Sequence, residues 1–285
     1  MKRLFVFLCT LLVVLSAFGA WGTGAWAEQD TEPEWWWKKD KTVQEQPPLK
    51  GGPEKDMRDL TPVNNNVLAE QYPGIVFVRG PGDANRVALT FDDGPDPDYT
   101  PLILDVLKEY DVPATFFLMG ARAAMNPELT KRIDSEGHEI ANHTYWHPDL
   151  VEEGEVDILV EEVNRTEDTL ADILGYRTRL FRAPYGFLYE ELVEELDNLN
   201  YSVIAWDVDS LDWEDLTPEE ISENVLPIVV PGSIILMHDG GSPETDRTQT
   251  AESLRIIIPE LQEQGYEFVT VSELLNIPAT MEEAQ

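Results

Sequence analysis

Cysteine and basic residues are scarce in this chain of 285 residues. Its single cysteine, Cys9, lies in an N-terminal apolar stretch, so the remainder offers no thiol for a disulfide or a metal. Lysine and arginine total 20 against 55 aspartates and glutamates, which gives a net charge of -35. This charge argues against nucleic acid and anionic membranes as partners, because both would repel the protein. An acidic surface favours solubility, and it also fits a host that lives at high salt or high pH.

The first 27 residues have the pattern of a signal peptide. A basic start at 1–3 precedes an apolar stretch at 4–18, and Ala25-Trp26-Ala27 forms a small-x-small cleavage site. The apolar stretch is too short and wrongly flanked for a comfortable membrane span. We therefore expect a secreted, extracellular protein associated with the cell wall. An uncleaved N-terminal membrane anchor is the alternative.

Residues 28–62 indicate a disordered acidic linker that contains tryptophan. Three tryptophans at 35–37, two prolines at 47–48 and Gly51-Gly52-Pro53 occur there without a regular apolar period. The tryptophans either contact wall or membrane interface weakly or form a sticky patch without a function. We expect a tail rather than a second folded domain.

Strand-like runs alternate with amphipathic helical segments across residues 63–285. Most runs are continuously apolar, as in parallel strands that are covered on both faces. The pattern predicts a single α/β domain with a parallel sheet or barrel. The predicted strands are 86–91, 114–119, 139–142, 180–182, 202–208, 233–237 and 268–271, and the predicted helices are 100–110, 153–174, 190–199, 218–228 and 250–264.

Polar residues follow five of the predicted strands. In a closed parallel barrel these strand ends converge on one face, where such folds place their chemistry. The sequence therefore predicts that these side chains lie close together. They are Asp92 and Asp93, His143 and His147, Arg182, Asp207, Asp209 and Asp212, and His238 and Asp239.

Each motif taken alone also has an ordinary structural explanation. Asp92-Asp93 before Gly-Pro suits a turn, and His238 suits a hydrogen-bonded core histidine. Arg182 suits a surface cation or a structural ion pair. His143 and His147 could start a helix, and if their segment is helical the i, i+4 spacing puts both imidazoles on one face.

Taken together, the motifs favour a hydrolytic metal site. One aspartate and two histidines leave coordination positions open for water, which is typical of catalytic rather than structural zinc. The second carboxylate of the tandem pair is then available to accept a proton. His238 is the natural candidate for the acid that protonates a leaving group.

The chain resembles polysaccharide deacetylases of the NodB-homology type, carbohydrate esterase family 4. The resemblance covers residues 86–275 and implies a distorted (β/α)7 barrel as a single catalytic domain. Five motifs occur in the family's order, and they are Thr90-Phe91-Asp92-Asp93-Gly94-Pro95, His143-Thr144-Tyr145-Trp146-His147, Arg182-Ala183-Pro184-Tyr185, Asp209-Ser210-Leu211-Asp212-Trp213 and Leu236-Met237-His238-Asp239.

The resemblance implies a role for each motif residue. A divalent metal is expected, zinc first and cobalt, nickel or manganese as alternatives. The implied metal ligands are Asp93, His143 and His147. The implied catalytic residues are Asp92 as base, Arg182 as its holder, His238 as acid and Asp212 as the group that tunes its pKa. The implied substrate and oxyanion residues are Pro184, Tyr185 through its backbone N–H, and Trp213 and Leu236, which with Tyr185 wall the acetyl pocket.

The expected function is removal of N-acetyl groups from N-acetylglucosamine residues of a β-1,4-linked polysaccharide, with peptidoglycan as the first candidate. Chitin oligosaccharides are the second candidate, and acetylated xylan is the third because the same machinery cleaves esters. A glycan-binding protein without turnover is an alternative of another class. The intact base Asp92 and acid His238 argue against it, because binding alone needs neither.

Overall fold

The computed structural model describes residues 62–281 except residues 154, 215, 243 and 244. The predicted signal peptide at 1–27, the linker at 28–62 apart from Pro62, and Cys9 therefore lie outside the described residues. Within the described part of the chain, no helix combines the length and apolar character that crossing a membrane requires.

The described residues contain nine strands, which pair in parallel in one curled sheet. The order along the sheet is β1-β6-β5-β4-β3-β2-β8-β7, and β9 pairs with the start of β2. The strands are β1 (Val76–Phe77), β2 (Arg86–Asp92), β3 (Thr115–Leu118), β4 (Glu139–Asn142), β5 (Leu180–Phe181), β6 (Ser202–Ile204), β7 (Val208–Asp209), β8 (Ile234–His238) and β9 (Glu267–Phe268).

The segment from β6 to β7 carries the chain from near one edge of the sheet to the other edge. β6 pairs with β5 and β1, whereas β7 pairs with β8. Between them, the Ala205 N–H donates to the Phe77 carbonyl and the Asp207 N–H donates to the Ile234 carbonyl. The expectation of one continuous strand at 202–208 was wrong, because the chain changes pairing partner there.

Helices follow most of the strands, as the alternating sequence pattern predicts. All five predicted helices are present: the helix at 100–110 has the predicted bounds, and the other four are shifted at one end or both. The described chain has α1 (Asn65–Gln71), α2 (Thr100–Tyr110), α3 (Gly120–Met125), α4 (Pro127–Ser135), α5 (Leu150–Glu153), α6 (Val156–Leu174), α7 (Glu190–Asn198), α8 (Pro218–Val225), α9 (Thr248–Glu263) and α10 (Val271–Leu275).

The last predicted strand, 268–271, is shorter than expected and lies earlier in the chain. It comprises only β9, because Thr270 starts α10 instead of extending the strand. The Thr270 side chain accepts from the Glu273 N–H, and the Glu273 side chain accepts from the Thr270 N–H. This reciprocal capping satisfies two backbone donors at the helix start, which favours the helix over the strand.

The alternation of side chains along β2 separates two layers of core. Val87, Leu89 and Phe91 belong to the cluster that packs with the helices. Ala88 belongs to a smaller cluster with residues of β3, β4, β5, β6 and β8. Because successive side chains point to opposite faces, Asp92 shares the inner face with Ala88. The strand thus places a carboxylate at the carboxyl end of the inner core.

Candidate active site

The tandem aspartates stand where β2 ends. Asp92 and Asp93 are both buried, and Asp93 has a φ of 72°, which turns the chain out of strand geometry after Asp92. Glycine suits the next position, because a Cβ on Gly94 would overlap the Asp239 carboxylate unless that side chain moved. The tight turn predicted from these residues is therefore present, and it carries two carboxylates with different surroundings.

The two histidines follow β4 in a loop rather than a helix. Thr144 and His147 have φ values of 62° and 59°, so the segment is not helical and that premise of the i, i+4 argument was wrong. The imidazoles nevertheless converge on one carboxylate. The Nε2 atom of His143 lies 3.4 Å from Asp93 Oδ1, and the Nε2 atom of His147 lies 3.2 Å from the same oxygen.

These three residues fit a divalent metal. Both carboxylate oxygens of Asp93 are buried, and neither has a hydrogen-bond partner among the described residues. One ligand atom from each of Asp93, His143 and His147 can be chosen so that all lie within 4.8 Å of one another. The His143 Nδ1 lies 2.8 Å from the Arg182 carbonyl and donates to it, so Nε2 is the ring nitrogen available on the Asp93 side.

The pKa shifts of Asp93 and His147 suit metal binding, whereas that of His143 favours a proton that a metal would have to displace. Burial raises the pKa of Asp93, but the adjacent histidines outweigh it and hold that pKa well below its usual value. Burial lowers the pKa of His147 to about 3, so its imidazole is neutral near pH 7. Burial also lowers the pKa of His143, but the charges of Asp92 and Asp93 outweigh it and raise that pKa.

Arg182 holds the other carboxylate of the tandem. Its Nη1 donates to Asp92 Oδ1 at 2.7 Å and to Thr90 Oγ1 at 2.8 Å. Its Nε donates to the Ile204 carbonyl at 3.1 Å, and the guanidinium carbon lies 4.0 Å from the centroid of the Phe117 ring. The side chain is fully buried, so this charge-assisted bond fixes Asp92 in one orientation.

His238 and Asp212 form a second buried ion pair. The His238 Nδ1 donates to Asp212 Oδ1 at 2.8 Å, and the His238 backbone N–H donates to Oδ2 at 2.9 Å. Burial lowers the pKa of His238, but the charge of Asp212 outweighs it and raises that pKa to about 10. Burial raises the pKa of Asp212, but His238 outweighs it and lowers that pKa to about 2. The imidazole is therefore held in its protonated form.

One small cavity of about 130 Å³ brings most of these groups together. Tyr185 belongs to its wall, and its left-handed φ of 61° lies within the 3₁₀ turn Pro184–Gly186. Pro184 starts that turn but is not among the lining residues. The wall comprises Asp92, His143, His147, Tyr185, Gly186, Phe187, Trp206, Asp209, Trp213, Leu236 and His238.

Several residues near this cavity were not singled out by the sequence. Phe187 and Trp206 line it, and Gly186 lets Trp206 approach, since a Cβ there would lie 2.6 Å from the indole. Arg122 is buried, and its Nη1 donates to the Asp93 carbonyl at 2.9 Å. The only sequence signal for Phe187 and Trp206 was their closeness to the Arg-Ala-Pro-Tyr and Asp-x-x-Asp-Trp motifs. No local pattern marks Arg122.

Known proteins are similar to this chain in sequence and in fold. Residues 79–204 match the family model described as polysaccharide deacetylase. A peptidoglycan-N-acetylglucosamine deacetylase of Bacillus cereus is 41% identical over 195 residues, which cover 68% of this chain and 70% of that protein. A chitooligosaccharide deacetylase of Sinorhizobium fredii is 43% identical over 192 residues, or 64% of this chain and 88% of the relative.

The solved structures agree with the sequence comparison. The crystal structure of a peptidoglycan N-acetylglucosamine deacetylase superimposes with a TM-score of 0.69 at 39% identity, and the match covers 72% of this chain and 94% of that one. The expected α/β fold is therefore confirmed, although the described sheet has nine strands rather than seven. By sequence and by structure, the chain belongs to the polysaccharide deacetylase family.

Proposed function

We propose that this protein is a secreted, metal-dependent deacetylase that removes N-acetyl groups from N-acetylglucosamine residues of a β-1,4-linked polysaccharide and releases acetate. One observation carries the proposal. A single cavity is lined by a carboxylate locked to a buried arginine, two histidines that converge on a second carboxylate, and a histidine paired with its own aspartate.

Asp93, His143 and His147 would hold the metal, which zinc fits well because the donors are one carboxylate oxygen and two imidazole nitrogens. When bound, a divalent ion supplies Lewis-acid chemistry that polarises a carbonyl and acidifies water. Three protein ligands would leave coordination positions open for a carbonyl and a water. Cobalt, nickel and manganese accept similar donors.

Asp92 acts as the general base in this proposal. Its carboxylate lines the cavity, and its Oδ2 lies 3.9 Å from the Nε2 of His143, beside the metal ligands. The bond from Arg182 keeps Oδ1 occupied and fixes the orientation of the carboxylate. Asp92 therefore removes a proton from the water that attacks the acetyl carbon, while Arg182 prevents its rotation.

His238 acts as the general acid. Water oxygen bonds to the acetyl carbon, and the carbon–nitrogen bond then breaks. The protonated imidazole of His238 gives its proton to the departing nitrogen, which leaves a free amino sugar and acetate. Asp212 keeps the ring charged and oriented through the bond at Nδ1, and His238 lines the cavity.

The size of the cavity restricts what can enter it. About 130 Å³ is small beside the roughly 300–1,000 Å³ of pockets that enclose whole ligands. An acetamide group fits such a volume, whereas the sugar chain would lie outside. Trp213, Leu236 and Tyr185 provide apolar surface for the acetyl methyl group. This is the geometry expected for trimming a substituent from an intact polymer.

Peptidoglycan is the first candidate substrate. The Bacillus cereus relative is a peptidoglycan-N-acetylglucosamine deacetylase, and the N-terminal pattern at 1–27 favours export to where peptidoglycan lies. Association with the cell wall, assisted by weak contact of the tail at 28–62, is part of this proposal. The Sinorhizobium fredii relative is a chitooligosaccharide deacetylase, so chitin oligomers are the second candidate.

Acetate release from peptidoglycan, chitin oligomers and acetylated xylan tests the proposal. The zinc-loaded protein should release acetate fastest from peptidoglycan, and Asp92→Asn should lower the rate at least about 100-fold while zinc stays bound. Asp98→Asn, on an exposed residue, is the matched control. Unchanged release by Asp92→Asn would reject the catalytic assignment. Binding to glycan without acetate release would favour a glycan-binding protein instead.

A further inference from the structure

The loop between the two histidines has a strained backbone. Thr144 and His147 both adopt left-handed φ values, 62° and 59°. For residues with a Cβ, this conformation costs about 1–2 kcal/mol each. Such a conformation persists only where the surrounding structure holds it. The elements that hold this loop therefore also fix the position of the histidines.

Helix α3 holds the carbonyl side of the loop. The Gly120 N–H donates to the Thr144 carbonyl at 3.0 Å, and the Ala121 N–H donates to the Tyr145 carbonyl at 3.2 Å. The approach is close, because a Cβ on Gly120 would lie 2.5 Å from the ring of Tyr145. The start of α3 thus fixes two successive carbonyl groups of the loop.

Glu162 of helix α6 holds the amide side. Its Oε2 accepts from the Tyr145 N–H at 2.8 Å and from the Trp146 N–H at 2.7 Å. Two successive N–H groups that converge on one anion form a backbone nest, and bonds to a carboxylate are stronger than bonds between neutral groups. Glu162 is only 7% exposed, so water screens these bonds little.

The same helix also clamps the aromatic rings of the loop. The guanidinium carbon of Arg165 lies 3.8 Å from the centroid of the Tyr145 ring and 5.5 Å from that of the Trp146 ring. Arg165 follows Glu162 by three residues, so the two side chains share a helix face. Helix α6 therefore contacts both the backbone and the side chains of the loop between the histidines.

We propose that Glu162 is a positioning residue that sets the separation of His143 and His147 and thereby the affinity of the site for a divalent metal. The inference rests on the metal-dependent function proposed above. Trp146 directly precedes His147, so rotation of the Tyr145–Trp146 peptide moves the His147 ring. The Nε2 of that ring lies 3.2 Å from Asp93 Oδ1, so a small displacement of the ring would change the separation of the two candidate ligand atoms.

The test is the zinc affinity of the full chain, measured by competition with a chromophoric chelator. Glu162→Ala should weaken zinc binding about 10- to 100-fold, as is typical when a group that orients metal ligands is lost. Glu162→Gln should recover most of the affinity, because its amide oxygen can accept the same two bonds. Glu161→Ala is the matched control, since Glu161 is the exposed neighbour on the same helix, and it should bind zinc like the wild type.

The outcomes separate the two proposals. Equal zinc affinity of folded Glu162→Ala and Glu161→Ala would overturn the role of Glu162. If Glu162→Ala does not fold, Glu162→Asp decides, because its shorter side chain cannot reach both N–H groups. Weaker binding by that variant supports the role, and unchanged binding overturns it. A wild-type protein that binds no zinc would instead overturn the metal centre and with it the proposed function.

Discussion

Replacement of Asp212 by asparagine should convert His238 from a charged to a neutral side chain while leaving its position unchanged. In the wild type, Asp212 Oδ1 accepts from the His238 Nδ1, and Oδ2 accepts from the His238 N–H and from the Thr250 hydroxyl. An asparagine would place its oxygen at the Oδ2 position to keep these two donors. Its NH₂ group then donates to an unprotonated Nδ1.

The catalytic cost of Asp212→Asn follows from the pKa of His238. The charge of Asp212 raises that pKa to about 10 against the opposing effect of burial. Without the charge, burial lowers the pKa below the ordinary value of 6.5. Little His238 is then protonated near pH 8, and if His238 is the general acid as proposed, kcat should fall about 100- to 10,000-fold.

The cost in stability should depend on pH with a defined sign. His238 has a raised pKa in the folded state. Its contribution to the stability of the folded protein is therefore complete below pH 6.5 and is lost as the pH rises through about 10. Asp212 has a lowered pKa in the folded state. Its contribution to the stability of the folded protein is therefore complete above pH 3.8 and is lost as the pH falls through about 2. Asp212→Asn should therefore destabilise most between 3.8 and 6.5, by up to about 3–5 kcal/mol, the cost of breaking a buried ion pair.

Urea unfolding at about pH 5, 7 and 9 measures this difference, and acetate release across the same range measures the loss of activity. Asp197→Asn, on an exposed residue of α7, is the control for the substitution itself. A stability difference that grows from pH 5 to 9 would refute the sign. A variant that keeps wild-type activity near pH 8 would refute the role of the ion pair in catalysis.

Three further predictions concern the metal, the turn and the charge. A His143→Ala, His147→Ala double variant should lose bound zinc in elemental analysis, and full retention would reject both ligands. Gly94→Ala should lower the free energy of unfolding by about 1–3 kcal/mol, because the added Cβ overlaps the Asp239 carboxylate. An unchanged urea midpoint would contradict this and show that the carboxylate moves aside. Acetate release from anionic wall material should rise with added salt over the low range, because a net charge of -35 is repelled until it is screened, and a flat profile would contradict this.

Continuous apolar runs were sufficient to predict most of the sheet. The predicted runs 86–91 and 139–142 correspond to β2 and β4, whose residues are almost all buried. The run at 202–208 was predicted as one strand and is two. Its break depends on pairing with β1 at one end and β8 at the other. Those partners lie far away in sequence, so no local pattern could reveal the break.

The sequence was sufficient to predict those residues of the candidate site that lie at the ends of strands. Asp92, Arg182 and His238 each come directly at a strand end, and the topology brings Asp92 and His238 to one cavity, with Arg182 buried against Asp92. Trp206 and Phe187 complete the wall, but neither stands out in the sequence. The place of Trp206 depends on the close approach that Gly186 allows, which is a property of packing.

The loop from His143 to His147 shows why spacing alone could not predict the geometry of the candidate metal site. The i, i+4 spacing suggests a helix, yet the loop brings both rings to Asp93 with two left-handed residues instead. The chain can adopt this costly backbone because groups 15 or more residues away in sequence bond to its amides and carbonyls. Glu162 makes the charged contact among these, since one of its buried oxygens accepts two charge-assisted bonds from the loop amides. On the proposed role of Glu162, the geometry of the candidate ligands is encoded partly in helix α6, and substitutions there should change metal affinity without touching a ligand.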